Sequence, residues 1–460
     1  MNPRDFQVAV IGGGVVGCAV LRAFALAGAR AVLLERGPDI LSGASKGNSA
    51  LLHTGYDAPT GSLELDCVRE GYDTYLDIRE RLNLPLIETS ALLVAWTEEE
   101  LASLPGYLEH ATANDVEGVI ALDRHELFRR APGLSAQARG ALLIPGEHII
   151  DPWSPPLAYA SQAIANGAIV KRSCEVLSGE LNDGQWHLQT SQGPLRSEVV
   201  INCAGLFGDL VESIARTPPF RIRPRKGQFL VFDKSAASLV DTIILPVPTK
   251  TTKGVLVAPT AFGNVLVGPT AEEQEDREDT AVDQAALKVL YKRAVEIVPA
   301  LGGQPVTATY AGLRPATQFG DYQIEAIAER QWITVGGIRS TGLTGALGIG
   351  AHVRRLYEKS FRQLADIANP VWTPVPNLAE TRARPYQQGG AGEIVCHCEW
   401  VTRGEIEAAL EGPLPANSLG GLKRRTRCMM GRCQGFYCAW RVAQLAAGRL
   451  QLPAAAGAAT

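Results

Sequence analysis

VAVIGGGVVGCAVLRAFALAGARAVLLERG, Val8 to Gly37, decides the fold. An apolar run, Val8 to Ile11, meets Gly12-Gly13-Gly14. Val15 to Leu26 repeats apolar residues at helical spacing, and Gly28 closes that helix. A second apolar run, Ala31 to Leu34, ends in Glu35. The reading is strand, glycine turn, helix, strand, with an acid at the tip of the second strand. Gly12 permits the tight turn, Gly14 lets a pyrophosphate approach the backbone, and Gly17 lets helix and strand pack closely. The helix N-terminus offers N–H groups and partial positive charge to phosphates. Glu35 can accept from ribose hydroxyls. An ordinary βαβ unit with a glycine turn leaves Glu35 unexplained. The motif predicts a dinucleotide site and does not choose between FAD and NAD(P).

At 460 residues the chain suggests two or three domains. A hydrophobic share of 46% and a net charge of -4 are ordinarily globular and give no global reason to expect nucleic acid. No apolar run is long enough to span a bilayer, and MNPRDFQ carries no basic, apolar leader. The expectation is a soluble cytoplasmic protein without direct membrane insertion. Cys18, Cys67, Cys174 and Cys203 are scattered and read as small core residues. Cys396, Cys398, Cys428, Cys433 and Cys438 crowd into the last 65 residues, which favours a metal or cluster over disulfides.

Beyond Glu35, a small-residue loop, Ser42 to Asn48, leads into LLHTGYD and can lie along a cofactor. Helices are expected over Glu64–Leu82 and Glu98–Ala113, and from Ser154-Pro155 with Ser154 as N-cap. VVINCAG (199–205) reads as a third strand beside the dinucleotide. From Phe220 to Thr270, GQFLVFD, GVLVAP and NVLVGP read as strands, with AFGN (261–264) as a hairpin turn, and suggest a separate antiparallel sheet. Glu272 to Asp279 reads as a solvated acidic loop, and Thr280 to Val298 as a helix stopped by Pro299. WITVGGI (332–338) running into STGLTGALGIGAHV (340–353) repeats the opening logic of strand, glycines and helix. Residues 364 to 392 read as a linker, and LPAAAGAAT as a disordered tail.

Together GGGVVG, LLHTG, VINCAG, AGLRPAT and GGIRSTGLTGALGIG resemble the FAD-dependent D-amino-acid-oxidase-like superfamily. Within it the chain is most similar to the glycerol-3-phosphate and L-2-hydroxyglutarate dehydrogenase branch. The resemblance implies an α/β FAD-binding domain of glutathione-reductase-like Rossmann type over 1–80, 146–215 and 310–362. It implies an antiparallel-sheet substrate domain over 81–145 and 216–309, and a linker over 363–392. FAD contacts are implied at Gly12, Gly14, Val16, Gly17, Glu35, Arg36, Ser45, Asn48, Val176, Ala204, Gly205, Gly337, Ile338, Gly342, Leu343 and Thr344.

His53, in LLHTG, corresponds to the family histidine near flavin and substrate. Imidazole can take a proton from a carbinol as hydride leaves. Covalent attachment to flavin, as in some relatives, is the other role the family allows. Arg314, in AGLRPAT, matches the arginine that holds a substrate carboxylate or phosphate. Lys253, in TTKGVLV, adds a second positive charge in the phosphate-using branch. Relatives carry Ser-Pro-Gly-Leu-Thr where this chain has Ser340-Thr341-Gly342-Leu343-Thr344, which leaves the orientation of Ser340 open.

The tail reads CxC, then RRTRCMMGRCQGFYC over 424 to 438. From spacing alone iron–sulfur and zinc are equal readings. The segment resembles the bacterioferritin-associated-ferredoxin-like [2Fe-2S] domain, a small helical domain expected over 393–446 with a flexible tail, 447–460, behind it. Carried over by position, the ligands are Cys396, Cys398, Cys433 and Cys438, with Cys428 left out and His397 a minor alternative. Lys423, Arg424, Arg425, Arg427 and Arg432 surround the module. A solvated basic face is the plain reading; offsetting cluster charge or docking a partner are the others.

The expected protein is a FAD-dependent dehydrogenase acting on a small anionic CH–OH substrate, glycerol 3-phosphate or a 2-hydroxy acid. Electrons then pass through the [2Fe-2S] centre to partners in the same complex, a second flavoprotein and, as a further component, a small iron–sulfur protein. The rival readings are a component of an amine or amino-acid (opine, hydroxyproline or N-methyl amino acid) dehydrogenase complex, and a non-catalytic electron-relay flavoprotein.

Overall fold

The computed structural model describes residues 5–248 and 254–451, so Lys253 lies outside the described residues. The opening stretch forms strand Asp5–Ile11, helix Val15–Leu26 and strand Ala31–Leu34. Five parallel strands stand side by side in the order Ile169–Lys171, Ala31–Leu34, Asp5–Ile11, Gly193–Asn202, Trp332–Gly336. VVINCAG therefore pairs directly with the opening strand, Ile11 opposite Asn202. Near-continuous apolar runs suit strands covered on both faces, and Val8, Ala9 and Val10 have no exposed surface. Helices Val15–Leu26, Leu63–Leu82 and Gly342–Ser360 pack together on this sheet.

The second sheet is built around strand Arg223–Phe232, which pairs along one edge with Val306–Ala316 and along the other with Val265–Gly268 and Glu272–Glu273. Strand 306–316, which crosses the expected boundary at residue 310, thus belongs to this sheet along its length. The turn at 260–264 closes as a hairpin, the Thr260 N–H donating to the Asn264 carbonyl at 2.9 Å. One pairing departs from the antiparallel expectation: Ile243–Pro246 runs parallel to Ala91–Ala95. These strands come from distant parts of the chain, and no hairpin dictates their direction.

Local readings are corrected at several places. Ser154 is the first residue of helix Ser154–Ala165, not its cap. Asp151 does the capping instead, one oxygen accepting the Trp153 N–H at 2.8 Å and the other the Ser154 hydroxyl. A carboxylate is the stronger acceptor. The helix expected from Thr280 begins at Gln284, behind the N-cap Asp283. The acids of loop 272–279 are exposed as expected, and the loop is also tied down: Arg277 donates to both oxygens of Asp209, and Glu278 pairs with Arg36 at 2.6 Å. Segment 364–392 is a packed strap. Val375, Leu378 and Ala379 are buried, and the Val375 N–H donates to the Leu82 carbonyl at 3.0 Å. Its apolar side chains gain more from burial than a free tether retains in entropy. In the tail, Gln451 is tied by its N–H to the Asn417 carbonyl at 3.0 Å; residues 452–460 lie outside the described residues.

The cysteine module pairs Ile394–Cys396 with Val401–Thr402 and adds helices Arg403–Ala409, Leu419–Thr426 and Ala439–Leu445. Thr402 and Glu405 form a capping box at the start of helix Arg403–Ala409. The module's basic residues do not form one solvated face: Arg425 and Arg427 are buried, whereas Arg432 is exposed. Arg425 makes two bonds to the buried Asp39 at 2.8 and 2.9 Å, and Arg432 two to Asp233 at 2.9 and 3.0 Å. Arg427 is buried against Glu399 at 2.9 Å, its guanidinium 3.9 Å from the centre of the Phe262 ring. Removing one member of such a buried ion pair costs about 3–5 kcal/mol. Among the described residues, no helix is long and apolar enough to cross a membrane.

Candidate active site

A cavity of about 1080 Å³ opens between the two sheets. Of the expected cofactor contacts, Gly12, Gly14, Val16, Glu35, Arg36, Ser45, Asn48, Val176, Ala204, Gly205, Ile338, Gly342 and Leu343 line it. Gly17, Gly337 and Thr344 do not; they stand behind the wall. A side chain at Gly17 would strike the Gly12 carbonyl, so this glycine sets the approach of helix to turn. Gly337 turns the chain at φ +72. Thr344 is buried, its hydroxyl accepting the His53 N–H at 3.0 Å and donating to the Leu51 carbonyl at 3.3 Å.

The wall fits a dinucleotide. Glu35 is buried at the strand tip, Oε2 accepting the Gly13 N–H at 2.6 Å and Oε1 the Gly37 N–H at 2.7 Å. Burial pushes its carboxyl up, and those N–H groups with Arg36 offset part of the rise. At the helix start, the Val15 N–H donates to Ser45 Oγ at 3.0 Å, so a hydroxyl stands at the anion-binding end. The guanidinium of Arg36 lies 3.7 Å from the centre of the Phe207 ring. The Tyr310 hydroxyl donates to the Asn48 carbonyl at 2.6 Å, which fixes loop 42–49 to strand 306–316.

His53 and Arg314 line the same cavity. His53 Nδ1 lies 2.8 Å from Oε2 of Glu147, whose other oxygen accepts the Thr54 N–H and hydroxyl at 2.7 and 2.8 Å. With Nδ1 held by a carboxylate, proton exchange falls to Nε2. The Arg314 guanidinium lies over Gly227, where a Cβ would come within 2.7 Å of Nη2. It donates to the Thr270 carbonyl at 3.4 and 3.5 Å, long for such bonds. Arg225, also on the cavity wall, is its direct cross-strand partner and pairs with Glu273 at 3.2 Å. Like charges directly opposite destabilise a sheet, and Glu273 offsets part of that cost at Arg225. Burial, then the Arg225 charge, lowers Arg314 to about 10.

Glu147 and Arg225 were missed by sequence reasoning. The signal for Glu147 was present: an acid inside the apolar run ALLIPGEHII needs a buried partner. No such signal marks Arg225, because its place opposite Arg314 depends on strand register.

The four expected cysteine ligands fall into two pairs, Cys396 with Cys438 and Cys398 with Cys433. Among the described residues, no group of three or more His, Cys, Asp or Glu gathers to hold one ion. Four cysteine thiols are the donor set of a [2Fe-2S] centre. Backbone N–H groups of Met429 and Glu399 point at Cys396, and those of Tyr437 and Gly435 at Cys433. Such donors stabilise thiolate charge. The Cys438 thiol and those N–H groups hold Cys396 down to about 6 against burial. Cys428 stands apart: it is fully buried beside Thr426, and burial pushes its thiol up to about 11.

Residues 7–356 match the model of the FAD dependent oxidoreductase family, and residues 394–447 that of the BFD-like [2Fe-2S] binding domain. A glycerol 3-phosphate dehydrogenase of Caloramator mitchellensis is 31% identical, covering 97% of this chain and 94% of the relative. One of the component chains of the anaerobic glycerol-3-phosphate dehydrogenase of Escherichia coli K12 is 26% identical over 97% of this chain and 89% of its own length. Among solved structures, the FAD-bound L-alpha-glycerophosphate oxidase of Mycoplasma pneumoniae superimposes with a TM-score of 0.76 at 26% identity, over 81% of this chain and 99% of that one.

Proposed function

The chain belongs to the FAD dependent oxidoreductase family and carries a [2Fe-2S] domain, and from that premise we propose that its substrate is glycerol 3-phosphate. The observation that carries the choice is the cross-strand pair Arg225 and Arg314 in the cavity that also holds His53. Two guanidinium groups suit a phosphate dianion better than one carboxylate. Glycerol 3-phosphate is also the substrate named for both dehydrogenase relatives described above.

Bound in this chain, FAD supplies a two-electron hydride acceptor and the [2Fe-2S] centre a one-electron carrier. Arg314, seated by Gly227, fixes the phosphate end of the substrate, with Arg225 and Lys253 as further positive charges. Glu147 holds the His53 ring, and His53 takes the hydroxyl proton as the substrate carbon gives up hydride. The glycine turn, Ser45 and Glu35 hold phosphate and ribose. Cys396, Cys398, Cys433 and Cys438 hold the iron. Electrons leave to a partner protein, a second flavoprotein or a small iron–sulfur protein, in keeping with the E. coli relative being one component of a larger enzyme.

The test is anaerobic flavin bleaching of purified protein with glycerol 3-phosphate, L-2-hydroxyglutarate and an N-methyl amino acid in parallel. Glycerol 3-phosphate is expected to bleach at the lowest concentration. Bleaching by the amine alone overturns the proposal, and bleaching by none of them favours an electron-relay role.

A further inference from the structure

We propose that the cysteine module is part of the FAD site: Arg425, through Asp39, holds the loop that joins the ribose contact to the phosphate contact, so FAD affinity and the seating of the module on this loop are linked. This rests on FAD occupying the cavity and is independent of which substrate is oxidised.

Gly37 to Ser42 connects Glu35 with Ser45, and both ends of this loop line the cavity. At its centre Asp39 has no exposed surface. Most of what holds it comes from the module. Arg425 gives two bonds, and the Asn417 N–H donates to Oδ2 at 3.2 Å. Arg424 donates to the adjacent Ile40 carbonyl at 3.0 Å. Arg172 bridges the two bodies, 3.4 Å from Asp39 Oδ1 and bonded to the Pro415 carbonyl.

The other side of the loop is tied to the phosphate turn. The Leu41 N–H donates to the Gly13 carbonyl at 2.9 Å, and the Gly13 N–H donates to Glu35. Four residues therefore run in series from the module to the cofactor wall: Arg425, Asp39, Leu41, Gly13. Without Arg425, a buried carboxylate loses its main counter-charge, and the loop must open to hydrate it. Opening pulls Leu41 from Gly13 and slackens the turn that receives the pyrophosphate. Linkage is reciprocal, so bound FAD must also tighten the module. Asp233, which receives Arg432, instead follows strand Arg223–Phe232 of the second sheet.

Two measurements on the full chain test this. The first is FAD affinity by flavin fluorescence. Arg425→Met should bind FAD more weakly by about 5- to 150-fold, the usual range for coupled sites. Arg425→Lys should fall between it and wild type, and Asp233→Asn should leave affinity unchanged. The second is amide exchange over residues 414–427 in the wild type, which should slow when FAD is added to the FAD-free protein. A folded Arg425→Met with wild-type affinity overturns the proposal, as does an Asp233→Asn loss of equal size. If Arg425→Met does not fold, the exchange measurement decides, and unchanged exchange over 414–427 overturns it.

Discussion

His53 Nδ1 lies 2.8 Å from Oε2 of Glu147, a carboxylate with no exposed surface. Because Thr54 holds the other oxygen twice, the carboxylate cannot turn away from the ring without losing bonds. The dyad is thus rigid before substrate arrives. Its two members are 94 residues apart in the chain.

If this pair moves the substrate proton, Glu147→Gln slows flavin reduction by about 10²- to 10⁴-fold, the range for loss of general acid–base catalysis. His53→Ala slows it at least as much, and the double variant falls far short of the product of the two. Anaerobic stopped-flow reduction with glycerol 3-phosphate measures each rate. Wild-type speed in Glu147→Gln would falsify the assignment.

Gly227 tests the seat of Arg314. In Gly227→Ala the new methyl lies 2.7 Å from Nη2 and 2.8 Å from Pro269 Cβ, so the guanidinium must move. KM is expected to rise about 10- to 150-fold, corresponding to about 1.5–3 kcal/mol for a hydrogen bond to a charged group. The flavin spectrum should not change. A wild-type KM would show that Arg314 does not bind the substrate anion.

The pH dependence of binding follows from the same residue. Burial and the neighbouring Arg225 lower Arg314 to about 10, so its charge is complete well below that pH and is lost as pH rises through it. KM for the anionic substrate should therefore be flat at neutral pH and climb towards pH 10. Arg225→Gln removes the second cause. It should move the climb to higher pH while raising KM in the flat range. A climb that Arg225→Gln leaves in place would contradict the coupling of the two groups.

The cysteine assignment separates Cys428 from Cys433. Cys428 sits in the module core, and its thiol stays protonated at neutral pH. Cys433 is half-exposed, paired with Cys398 and facing the Tyr437 and Gly435 N–H groups. Cys433→Ser should lose iron and the broad visible absorbance, and Cys428→Ser should keep both. Iron analysis and spectra of anaerobically purified protein decide, and the reverse pattern would move the ligand set by one cysteine.

Much of this protein was legible in one dimension. The glycine turn, the Val15–Leu26 helix and Glu35 are local, because backbone sterics and period fix them within a few residues. The clustering of cysteines after residue 395 likewise marked the module. The reading of the basic run at 423–432 as a solvated face failed, because Arg425 and Arg427 are buried in ion pairs. The acids of the loop at 272–279 do face solvent, while Arg277 and Glu278 also contact distant residues, and no local pattern distinguishes a solvated charge from a docked one.

The sequence by itself therefore determined a dinucleotide fold with a cysteine centre attached, since those depend on short-range spacing. Only the tertiary structure decided what surrounds the chemistry. Glu147 reaches His53 because the short strands Leu51–Leu52 and His148–Ile150 pair, and Arg225 faces Arg314 through the register of two long strands. Asp39 meets Arg425 across 386 residues. Pairing between distant segments is set by the packing of whole sheets and modules, which the spacing of neighbouring residues does not encode.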